Sequence, residues 1–96
     1  MYAKLLRFDV GFGRPQLAEQ IAADTQATMS RFSGFDRMEL LADYLGGRYT
    51  LIAYWTDQDD YYRFSYSPEA VALEKSVDTL MSGVPYVGFY SVYQPQ

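Results

Sequence analysis

The segment Tyr49 to Trp55, reading YTLIAYW, carries apolar bulk on both of its faces. One face holds Tyr49, Leu51, Ala53 and Trp55; the other holds Thr50, Ile52 and Tyr54. A strand with one side in water alternates apolar and polar residues, whereas a strand covered on both sides does not. The sheet containing this strand therefore needs two covers. The rest of a 96-residue chain supplies helices enough for one. A second copy of the chain is the expected second cover.

The neighbouring segments give the element order. Tyr2 to Val10 reads as a first strand, ended by Gly11-Phe12-Gly13, which lacks the third glycine of a dinucleotide fingerprint and reads as a turn. Pro15 suits a first helical turn, and Leu17, Ile21, Met29 and Phe32 make one apolar side from Gln16 to about Phe32, with Gly34 as its C-terminal cap. Asp36 to Leu45 reads as a second strand joined to the third by a two-residue Gly46-Gly47 hairpin turn. Thr56 or Asp57 caps a short helix running to about Ser65, with Asp59 and Asp60 placed to suit the helix dipole. Ser67-Pro68-Glu69 restarts a helix whose apolar side is Ala70, Leu73, Val77, Leu80 and Met81, and Gly83 and Pro85 end it. Tyr86 to Tyr93 is the last strand.

Strand, helix, strand, strand, broken helix, strand is the split βαβ order of ferredoxin-like α+β folds. Right-handed crossovers place the four antiparallel strands as 4-1-3-2, with both long helices on one face. The expectation is one domain over residues 1–96, of a length that buries roughly 60–70% of its unfolded surface. The opposite face, about 30 Å by 15 Å, exposes on the order of 450 Å². Leu5, Arg7, Leu41, Thr50, Ile52 and Tyr54 fall there. Such a mixture suits a self-complementary homodimer in which arginines meet Glu39 and Asp43 across a two-fold axis.

Absent residue types narrow the chemistry. The chain has no histidine, asparagine or cysteine. Ser-His-Asp triads, thiol nucleophiles, histidine-ligated zinc or haem, and disulfides are all excluded. With no cysteine, no basic-then-apolar leader and no apolar run of about 18 residues, a cytoplasmic protein without a membrane span is expected. Net charge is −4 and the eight lysines and arginines are scattered, so no basic face suited to nucleic acid forms. Aromatic content of 18%, mostly tyrosine, suits interfaces and pockets for flat ligands.

The run from Trp55-Thr56-Asp57 through Ser67-Pro68-Glu69, with the element order and lengths, resembles the antibiotic biosynthesis monooxygenase family of dimeric α+β barrels. The resemblance covers nearly the whole chain. It implies a cofactor-independent monooxygenase acting on a small quinol- or anthrone-like aromatic, since the carbanion of such a substrate reacts directly with O₂. It implies Trp55 and Tyr61 as the catalytic pair, and Tyr49, Leu51, Phe64 and Phe89 as substrate-lining residues. No metal and no cofactor are implied. The family's asparagine on the third strand is replaced here by Leu51 or a neighbour, and its later histidine falls in Phe64-Ser65-Tyr66. Both groups used by the haem-degrading members are thus gone.

Each signal has a plainer reading. Trp55 is also what a core filler at a strand end looks like, and Tyr61 is also the inward residue of a short helix. Asp57, Asp59 and Asp60 have no closing glutamate or EF-hand glycine and read as a solvated helix start. A non-catalytic small-ligand-binding or assembly module on the same scaffold is the alternative to an enzyme.

Overall fold

The computed structural model describes residues 1–93 and 95; the expected domain, residues 1–96, also includes Gln94 and Gln96, which lie outside the described residues. The described residues form β1 (Tyr2–Asp9), α1 (Pro15–Met29), β2 (Phe35–Asp43), β3 (Arg48–Trp55), α2 (Gln58–Ser65), α3 (Pro68–Asp78) and β4 (Tyr86–Ser91). The sheet order is β2-β3-β1-β4 with every neighbour antiparallel, the expected ferredoxin-like arrangement read from the other edge.

Register assigns the faces. Phe8 lies opposite Tyr49, Leu6 opposite Leu51, Lys4 opposite Ala53 and Tyr2 opposite Trp55, and Met38, Leu40, Val87 and Phe89 fall on the same side. This inner side packs under the helices, and every inward residue of β3 is buried. Two core clusters result. One gathers Phe8, Val10, Ala18, Ile21, Tyr49, Leu51 and Val77; the other gathers Met29, Ala53, Trp55, Tyr61 and Phe64.

The outer side carries Leu5, Arg7, Arg37, Glu39, Leu41, Thr50, Ile52, Tyr54, Tyr86 and Tyr90. The molecule measures 38 × 35 × 19 Å, and its short dimension is what one sheet plus one helix layer occupies. No element of the described residues covers the outer side. Glu39 and Asp43, the acids expected at the two-fold axis, each have an arginine partner within the chain: Arg37 to Glu39 at 3.0 Å and Arg48 to Asp43 at 3.8 Å. Strand geometry is the cause. Residues two apart on one strand share a face, and Asp43 lies directly opposite Arg48.

Three boundaries differ from the sequence expectation. The β2–β3 connection spans Tyr44 to Gly47 rather than two glycines: the Gly46 N–H donates to the Asp43 carboxylate at 3.0 Å and the Gly47 N–H to the Asp43 carbonyl at 2.9 Å. Only Gly47 takes positive φ, +70°, whereas a primed two-residue turn needs it at both centres. Helix α1 stops at Met29, so Gly34, at φ +91°, serves the turn into β2 and not the helix end. Its carbonyl accepts from the Thr56 N–H at 2.8 Å, and a Cβ there would lie 2.5 Å from Asp60. That close approach holds the start of α2 against the sheet. β4 ends at Ser91, and Val92 donates to the Met1 carbonyl beyond the strand.

Three phenols titrate above their usual range. Burial, then the neighbouring charges, raises Tyr49; the Glu39 carboxylate, then burial, raises Tyr54; the Tyr86 hydroxyl, then burial, raises Tyr90. A phenol whose folded pKa exceeds its unfolded one adds stability that is whole below about pH 10 and is lost as pH climbs through the folded value. The urea midpoint is therefore expected to fall above pH 10. Tyr49→Phe should make that fall shallower, and an unchanged alkaline slope in this variant would contradict the assignment of Tyr49.

Candidate functional site

Helix α2 begins because Asp57, in extended conformation, accepts the Asp59 N–H at 2.8 Å. It ends because Ser67 caps the next helix, accepting the Ala70 N–H at 3.1 Å while its own hydroxyl donates to the Phe64 carbonyl at 2.6 Å. Two helices thus replace one. α2 lays Tyr61 and Phe64 on the sheet beside Trp55, while α3 lies chiefly against α1 and α2.

Between α3 and the sheet, where the two core clusters fail to close on each other, lies a cleft of about 240 Å³. Leu6, Leu51 and Ala53 form its floor, and Met29, Phe64, Leu73 and Val77 its apolar walls. Polar groups are few. Thr25 and Ser65 bring hydroxyls, Glu74 and Asp78 bring carboxylates from the exposed side of α3, and Lys4 brings the only cation of the lining. Its volume lies just below the range of about 300–1,000 Å³ usual for organic-ligand sites, while the apolar lining with a few polar groups is their usual composition.

Trp55 has no exposed surface, and its indole N–H makes no hydrogen bond with any described residue. Its ring stacks on Phe64 at 5.4 Å and meets Phe35 and Tyr61 edge-on at 5.6 and 5.7 Å. Tyr61 stacks on Phe89 at 4.3 Å, and Phe89 on Tyr2 at 5.7 Å. An aromatic row thus crosses the end of the sheet from β2 to β4.

The six expected site residues separate into three groups. Leu51 and Phe64 line the cleft. Trp55, Tyr61 and Phe89 are brought together one layer behind it, with Phe64 belonging to both the row and the cleft wall. Tyr49 stands apart: it packs on Phe8 at 5.7 Å, six residues along β3 from Trp55 and so about 20 Å away. The sequence reading did not single out Lys4, Thr25 or Met29 as site residues. Lys4 had a legible signal, as the one charge on the inward face Tyr2, Lys4, Leu6, Phe8. The acids at the start of α2 act locally, Asp57 as cap and Asp60 as partner of Arg63. Among the described residues no group of three or more acids, histidines or cysteines is placed to hold a metal ion, and no helix is long and apolar enough to cross a membrane.

No protein-family model and no curated protein matches the sequence. Solved structures do match it. SnoaB, a cofactor-independent oxygenase from Streptomyces nogalater, aligns over 98% of this chain and 94% of its own, at 27% identity and TM-score 0.82. The monooxygenase from the gene ActVA-Orf6 of Streptomyces coelicolor, in complex with the ligand nanaomycin D, aligns over 99% and 89% at 19% identity and TM-score 0.82. The chain shares its fold with these proteins of the antibiotic biosynthesis monooxygenase family. Rv0793 from Mycobacterium tuberculosis shares the fold at 18% identity, with a TM-score of 0.71 over 98% of this chain and 96% of its own. On that shared fold, this chain builds its aromatic row and cleft without histidine or asparagine.

Removing the Trp55 ring has two opposed effects. It opens a cavity, and it removes a buried donor that has no partner among the described residues. Trp55→Ala is expected to cost about 3–5 kcal/mol of stability, as large aromatic truncations do. Trp55→Phe should cost less than half as much, because it keeps most of the packing and relieves an unpaired N–H that costs about 1–3 kcal/mol. Urea unfolding of both variants measures the difference, and equal losses would mean that the indole N–H is satisfied.

Proposed function

We propose that this protein is a cofactor-independent monooxygenase acting on a small hydroxylated aromatic of quinol or anthrone type. The observation that carries the reading is the Trp55 indole N–H, fully buried and without a partner among the described residues, on a ring stacked against the wall of an apolar cleft. A buried donor left unpaired is costly, and a ligand oxygen would satisfy it. The likeness to SnoaB, described as a cofactor-independent oxygenase, supports the same reading.

In this reading the ligand enters the cleft and turns the Phe64 ring aside, which brings Trp55 and Tyr61 within reach. The two donors hold the oxygen on which negative charge develops when a ring carbon loses its proton. The carbanion reduces O₂ and bonds to it. Loss of water then leaves a carbonyl on that carbon, so one oxygen atom stays with the product, the other departs as water, and the substrate supplies all the electrons. Residues 1–96 act as one domain, paired with a second copy through the outer face of the sheet, in the cytoplasm. With Glu39 and Asp43 already engaged in their own chain, Leu5, Leu41, Ile52 and the tyrosines supply the contact.

A second reading, a binding or assembly module, is favoured by the burial of both Trp55 and Tyr61 and by the absence of histidine as proton acceptor. Oxygen uptake with an anthrone separates the two. The wild type is expected to consume one O₂ per anthrone, and a Trp55→Phe, Tyr61→Phe double variant to lose on the order of 100-fold in kcat. Equal rates would remove the catalytic assignment. Binding without uptake across several hydroxylated aromatics would leave the module.

Light scattering tests the pairing. At tens of micromolar a mass twice the 11.0 kDa of one chain is expected, falling to a single chain in Ile52→Glu. A monomeric wild type would end the dimer proposal.

A further inference from the structure

We propose that Lys4 is the counter-charge of the cleft, so that the site takes its hydroxylated aromatic with a phenol group ionised and the phenolate oxygen at the Lys4 ammonium. This inference rests on the cleft being the ligand site, and it deepens that reading by naming the charge state the site selects.

Lys4 occupies an inward position of β1, flanked across the sheet by Ala53 and Phe89, where its strand otherwise presents Tyr2, Leu6 and Phe8. A lysine on the packed side of a central strand loses hydration and rotamer freedom, and core positions seldom hold one unpaired. It is only partly exposed, and it takes no part in the four ion pairs found among the described residues. Its one specific neighbour is the Tyr61 ring, whose centroid lies 5.6 Å from Nζ. Contact with a ring face at a partly exposed site is only modest compensation. The ammonium thus stands at the junction of the cleft and the aromatic row, still able to accept an anion.

The groups facing it are few. Tyr61 lies under it from α2, Tyr2 is the next inward residue of its own strand, and Glu74 and Asp78 reach the cleft from α3. Neither β3, β4 nor α1 contributes a titratable side chain to the lining. Glu74 and Asp78 stand exposed at the rim, where water screens them, whereas Lys4 sits on the floor. Of the three charged groups of the lining, Lys4 is therefore the least screened. An opposite charge within about 4–6 Å lowers the pKa of an acid by about 1–3 units.

The test uses unreactive dyes, so that it stands apart from oxygenase activity. Ionisation of 1,8-dihydroxyanthraquinone shifts its absorption to longer wavelength and reports the charge state of the bound ring; anthraquinone is the neutral control. In the wild type the bound dihydroxy dye should ionise at least about one pH unit below the free dye. Lys4→Met should abolish that shift and weaken binding of the anion about ten-fold, with anthraquinone affinity unchanged, which also shows the variant to be folded. Lys4→Arg should restore the shift. If Lys4→Met does not fold, Lys4→Gln takes its place. A bound dye that ionises alike in the wild type and Lys4→Met, or above the free dye in the wild type, overturns the role of Lys4 and leaves the cleft as a ligand site. Failure of both dyes to bind the wild type overturns the cleft itself and this inference with it.

Discussion

Pro68 has no backbone N–H, and the residue before a proline is held out of the helical region, so the helix begun at Gln58 cannot run on through it. Ser67 accordingly adopts φ −76°, ψ 155°, and turns the break into a cap for the helix that follows. Much of what distinguishes the inner side of this protein follows from that interruption. The first half stays on the sheet and closes over Trp55. The second half lies against α1 and α2 and leaves the floor of the sheet open beneath it. At about 100° per residue, a continuous helix would turn Leu73 and Val77 away from the face that carries Tyr61 and Phe64; the break lets both pairs meet the inner side of the molecule.

The chemistry of the cleft is that of a mostly apolar hole with one positive floor residue. Lys4 and the Trp55 N–H are unlike in kind, a charge and a dipole, yet both are polar groups on the packed side of the sheet with no hydrogen-bond or ion-pair partner among the described residues. Groups of this sort weaken a fold and are tolerated where something else satisfies them. Phe64 links the two, since it faces the cleft and stacks on Trp55. With no histidine in the chain, proton uptake during any reaction falls to carboxylates, phenols or the substrate itself.

The outer face follows a different logic. Its ions are consumed locally: Arg37 is paired with Glu39 and lies 4.2 Å from the Tyr54 ring, and Arg48 is paired with Asp43. Arg7 lies over Tyr86 at 5.5 Å, and the Tyr86 and Tyr90 hydroxyls meet at 2.6 Å. What remains for a facing surface is Leu5, Leu41 and Ile52, framed by these ion pairs and ring contacts. Specificity in such a contact comes from shape and apolar fit more than from charge.

Element order, sheet order and the inner and outer faces were legible in the sequence, because each depends on local spacing: a period of two in the strands, three and four in the helices, and caps at Asp57 and Ser67. The hairpin was misread as two residues because the deciding contact is made by the Asp43 side chain, which a glycine pair does not announce. The end of α1 was misread for a similar reason: Gly34 is required by its approach to Asp60, a residue 26 positions away. For the site, the sequence identified Trp55, Tyr61 and Phe89 as aromatic, but their stacking into one row, the removal of Tyr49 to the far end of the sheet, and the placing of Lys4 on the cleft floor were decided in three dimensions. Periodicity tells which side of an element a residue faces. Which side chains then meet, and where they fail to fill the space between them, is fixed by the packing of elements distant in the chain.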